Sequence, residues 1–150
     1  MPHPKQWMLD MPDHLQDAIF GPLSRQFGTD LVSYISKSPF MGRDIRIELV
    51  LFKPADLSNC RKNAQLAFAN LARTEQASRD QIARWLPDFA LESGYALKTP
   101  DDCAEWLELR TIFARQDTIE LHFRFLPDPE TLFRMMLIDG KPSIYVDIEH

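Results

Sequence analysis

Alternation of apolar and polar residues is clearest at two places in the chain. Between Thr118 and Phe125, Ile119, Leu121, Phe123 and Phe125 take one parity while Glu120, His122 and Arg124 take the other. Successive side chains of a strand point to opposite faces, so this stretch predicts a strand with one buried and one polar face. After Met41-Gly42, Ile45, Ile47, Leu49 and Leu51 alternate with Arg46, Glu48 and Val50 until Pro54 ends the run, which predicts a second strand with one face buried. Further strands are predicted at Glu108 to Ala114, at Thr131 to Ile138 and at Ser143 to Ile148. The turn formers Arg115-Gln116-Asp117 and Asp139-Gly140 supply the connections. Between Ile19 and Lys37 short apolar clusters alternate with turn residues, a pattern of two strands joined near Phe27-Gly28.

The middle of the chain changes period. Cys60, Ala64, Ala67, Phe68 and Leu71 recur at helical spacing behind the N-cap candidates Asp56 and Ser58, and Ile82, Trp85, Leu86 and Phe89 form a second stripe starting near Ser78. These two predict a helical hairpin. Thr99-Pro100-Asp101-Asp102 combines a capping hydroxyl, a proline at the first helical position and carboxylates at the positive end of the helix dipole, predicting a short third helix that ends near Trp106-Leu107. Strands, helices, then strands is the order of an α+β fold: an antiparallel or mixed sheet with about three helices inserted mid-chain and packed on one face. Residues 1–17, with three prolines and mixed polarity, read as an irregular N-terminal arm, and residues 18–150 as a single α+β domain.

Composition narrows the function classes. Hydrophobic residues at 45% and charged residues at 26% are globular values and argue against disorder. A net charge of −5 repels phosphate backbones, which disfavours nucleic acid, and the dispersed basic residues form no block that would coat an anionic membrane. No run approaches the roughly 18 apolar residues of a membrane span, and Met1 to Trp7 lacks the apolar segment of a secretory signal, so the expectation is a cytoplasmic protein. Cys60 and Cys103 then read as buried free thiols. The histidines at 3, 14, 122 and 150 have no metal-ligand spacing, the glycines form no phosphate-cradling loop, and no serine sits in a nucleophile elbow. Neither a metal, a cofactor nor a catalytic residue is assigned.

The candidate site is therefore a surface. Glu120, His122 and Arg124 share one face of their strand, and Tyr145, Asp147 and Glu149 share one face of the last. If the two strands are neighbours, these six residues form one mixed polar face, which can be a solvated face with cross-strand charge pairs or a partner-binding face. An acid–base site around His122 is the enzymatic alternative, although it needs a positioned nucleophile or metal that the sequence does not reveal. A third reading is an assembly or secretion adaptor that self-associates through Phe133-Arg134-Met135-Met136-Leu137, since adjacent methionines in a strand cannot both be buried by one face.

Phe20-Gly21-Pro22-Leu23, the strand Ile45-Arg46-Ile47-Glu48-Leu49, the Ala/Leu helix around residues 60–72 and the closing Ile144-Tyr145-Val146-Asp147-Ile148 carry one resemblance. The chain resembles, over roughly residues 18–149, small bacterial domains of unknown function that open with a Phe-Gly-x-Leu strand and often occur near polymorphic toxin loci, some of them regarded as immunity proteins. The polar or histidine-containing motif expected before the last strand is replaced here by Met135-Met136-Leu137, so no functional residue is carried over. The resemblance implies a non-enzymatic module that binds a protein partner, and the acidic net charge suits a basic partner such as a toxin.

Overall fold

Side-chain alternation accounts for most of the strands that form. The computed structural model describes residues 3–36, 45–84, 106–138 and 141–149, excepting the side chains of 129, 144–147 and 149. In chain order the elements are α1 (Gln6–Asp10), β1 (His14–Asp17), β2 (Gly21–Gly28), β3 (Leu31–Ser36), β4 (Arg46–Leu51), α2 (Asp56–Ala69), α3 (Leu71–Ala83), β5 (Leu107–Ala114), β6 (Ile119–Phe125), β7 (Asp128–Ile138) and β8 (Lys141–Glu149). The fold is α+β, with the strands in one mixed sheet in the order β1 to β8. β1 to β4 run antiparallel, β4 and β5 are parallel, and β7 and β8 are antiparallel. A parallel pair needs a crossover of a dozen residues or more, and the connection holding α2 and α3 supplies it. Those two helices lie mid-chain as expected, whereas α1 stands at the N-terminal end. The predicted third helix and Cys103 fall outside the described residues.

The chain divides into two compact units. In the first, residues 1–69 with 111–119, Leu23, Val32, Tyr34, Ile47, Leu49, Leu51 and Cys60 are fully buried. Ser33 pairs with Val50, and Tyr34 with Leu49, and all four are buried. Paired residues share a face and neighbours alternate, so β3 and β4 are covered on both sides here, not on one. The Cys60 thiol donates to the Val50 carbonyl at 3.3 Å, and burial pushes its pKa up to about 12.

Within the segment read as an irregular arm, residues 6–10 form α1 and residues 14–17 form β1. Met8 of α1 is buried and β1 pairs with β2. The Arg25 guanidinium donates to the carbonyls of Leu9 and Met11 and pairs with Asp13 at 2.6 Å, and the Tyr34 hydroxyl donates to Pro12 at 2.7 Å. Proline content signals the missing backbone donors but not these partners on distant strands.

Asp17 closes the same region. It is buried, its carboxylate accepts from the amides of Ile19 and Phe20, and it pairs with Arg61 of α2 at 3.0 Å. Burial opposes its ionisation, but the two amides and the guanidinium outweigh that and hold its pKa below the ordinary carboxylate value.

In the second unit, residues 70–110 with 120–150, Leu107, Leu109, Leu121, Phe123, Phe125, Phe133 and Met135 form the core, with Trp106 and Phe133 each edge-on to Phe125 at 5.8 Å. α3 packs on β8 and β7. It begins at Leu71, earlier than the expected Ser78, and only Asn70 separates it from α2, where helical hairpins use two to five residues. The stripe that α3 buries is Thr74, Glu75, Ser78 and Ile82, mostly polar, which a search for apolar periodicity passes over. β7 likewise starts earlier than expected, at Asp128.

Candidate functional site

β6 builds the candidate face. Ile119, Leu121, Phe123 and Phe125 are buried and fix the register of the strand, so Glu120, His122 and Arg124 must emerge together on the opposite side. All three are half-buried. His122 Nε2 lies 3.3 Å from Glu120 Oε2, with side chains only 13% and 17% exposed. This is a shielded contact rather than a loose surface pair, and shielding strengthens it relative to an exposed one.

Flanking strands extend the pattern. On β5, Glu108 and Arg110 form an ion pair at 2.9 Å. On β7, Thr131, Phe133, Met135 and Leu137 are buried, whereas Leu132 and Arg134 are half-buried and Met136 is 37% exposed. The adjacent methionines thus divide between faces, with Met135 in the core. Cross-strand register sets Arg134 opposite Asp147 and Leu132 opposite Glu149. Between the Met135↔Val146 and Leu137↔Pro142 pairs, residues 143–145 lie opposite Met136 alone, so Tyr145 sits within an irregularity. The structure places Glu120, His122 and Arg124 on one face of β6, but β6 and β8 are not neighbours as the six-residue face required: β7 lies between them, with Asp147 and Glu149 in backbone register with it. The side chains of Tyr145, Asp147 and Glu149 lie outside the described residues.

Chemically, the His122–Glu120 contact can hold or move a proton, and the surrounding arginines can receive anions. The Thr131 hydroxyl is buried and donates to Asp128 at 2.8 Å, so it is committed to the start of β7. Among the described residues no group of three or more His, Cys, Asp or Glu is placed to hold a metal ion, and no helix is long and apolar enough to cross a membrane. Sequence reasoning did not single out Arg110 and Arg134 for this face, although their strand parity places them there.

One depression lies elsewhere, on the first unit. Its volume is about 590 Å³, and it opens over the start of α2 between Pro54, Leu57, Ser58, Arg61, Lys62 and Gln65. Arg61 is the partner of Asp17 and its charge is already matched.

No protein-family model, curated protein or solved structure matches the chain.

Proposed function

We propose that the protein is a non-enzymatic protein-binding module, and that the face carrying Glu120, His122 and Arg124 is its recognition surface. The observation that carries this reading is the half-burial of three ionisable side chains on one face of β6. A fully solvated face leaves such groups extended into water, whereas charged groups already partly desolvated, two of them held in mutual contact, lose less when a partner covers them. The resemblance to domains near toxin loci makes an immunity protein the specific form of the proposal, and the net charge of −5 favours approach by a basic toxin.

The competing reading is an enzyme in which His122, oriented by Glu120, acts as a general base; the 3.3 Å contact favours it. Co-expression with the product of the adjacent gene, followed by co-purification at low and high salt, separates the two. A stoichiometric complex that weakens as salt rises is the expected result. Recovery of the protein alone overturns the binding proposal and directs the search to activities lost in His122→Ala.

A further inference from the structure

Arg124 stands apart from the other charges on its face. Arg110 has Glu108, and His122 has Glu120. Arg124 is half-buried, its Nε is shielded from water without an acceptor, and among the described residues its guanidinium makes no hydrogen bond or ion pair. Shielding the Nε–H is costly, because that donor gives up water and receives no acceptor in return. Arginine can release its head to solvent along a flexible stem, yet here it stays against the sheet. Such a group is a site waiting for an anion.

Resting on the reading of this face as a binding surface, we infer that Arg124 receives a carboxylate, the Asp or Glu side chain of an acidic segment in the protein partner, at the centre of the contact. The planar guanidinium matches a carboxylate bidentately. A phosphate dianion matches it too, but Glu120 lies on the same strand face, Glu108 lies on β5, and the whole chain is acidic. A singly charged carboxylate meets less repulsion from that surround. The proposal is compatible with a partner basic overall, since net charge governs approach while one buried pair governs the docked contact.

The experiment uses the full-length protein, isotopically labelled for NMR, and follows the Arg124 Nε–Hε signal during titration with a capped peptide carrying one glutamate, with the same peptide carrying lysine instead and inorganic phosphate as comparison arms. The expected result is a saturable shift with the glutamate peptide, little with phosphate and none with the lysine peptide. Arg124→Gln weakens the peptide by about tenfold or more, and Arg124→Lys falls between. Arg124→Gln also keeps its thermal midpoint or raises it, since the side chain makes no internal bond to lose; a structural role would lower it. An unmoved Arg124 signal, equal binding by Arg124→Gln, or tighter binding of phosphate overturns the inference. With a co-purified partner in hand, a complex fully retained by Arg124→Gln overturns this inference while leaving the binding module standing. If no partner complex forms, the module reading fails and the peptide titration still decides the role of Arg124.

Discussion

At the scale of single residues, two positions in the β1–β2 turn show how local chemistry sets stability. Asp17 satisfies two amides and one guanidinium from a buried position. Asp17→Ala orphans all three and is expected to cost about 2–3 kcal/mol in urea denaturation at neutral pH. The folded-state pKa of Asp17 is depressed, so its contribution is fully present above the ordinary carboxylate value and is lost as pH falls through the lower folded value. Denaturation curves taken from neutral to acid pH should therefore show wild type and Asp17→Asn converging in acid. A gap that stays constant with pH contradicts the assignment. Gly21 presents a different constraint. Its φ is +73° and nothing lies within 4 Å of an added Cβ, so space is available but the backbone conformation is not. Gly21→Ala should lower stability by about 1 kcal/mol through strain alone, and a neutral result in thermal melts would refute that cause. The sequence pattern predicts a turn near Phe27-Gly28 and a strand through Phe20-Gly21-Pro22-Leu23, so the turn before Gly21 was not legible in it. Nor was the role of Asp17, because its partner Arg61 is brought to it only by the fold.

At the scale of elements, period-two patterns were the legible part. The strand around 119–125 was read with nearly its observed bounds because it has a buried parity that no other register satisfies, and the strand around 46–51 was placed well although Val50, of the opposite parity, is buried too. The methionine pair gives a sharp check. Met135→Asp places a charge in the core and should unfold the second unit, whereas Met136→Asp on the outward side should leave the far-UV spectrum and melting temperature nearly unchanged. Equal sensitivity at both positions would mean the strand register is wrong. Where long-range or polar contacts hold an element, its bounds or its existence went unread: the first turns of α3, and both α1 and β1. α3 buries Thr74, Glu75 and Ser78 rather than an apolar stripe, and the N-terminal segment is tied down by Arg25 and Tyr34. Arg25→Ala should accordingly speed proteolysis within residues 5–13 while the rest of the chain resists, and an unchanged cleavage pattern would show that the segment does not depend on those bonds.

At the scale of the whole molecule, the α+β class and the mixed sheet followed from the order of patterns, and the candidate face followed from strand parity. What parity could not supply is the pairing between charges, since the Glu120–His122 contact and the isolation of Arg124 depend on side-chain geometry. The central claim is that this face, and not the depression over α2, meets a protein partner. Co-purification with the co-expressed neighbouring gene product tests it most directly when wild type is run beside the charge reversals Glu120→Lys on β6 and Lys62→Glu on α2, each first shown to be folded. The complex should be lost with Glu120→Lys and kept with Lys62→Glu; the opposite outcome would contradict the assignment and move the binding surface to the start of α2.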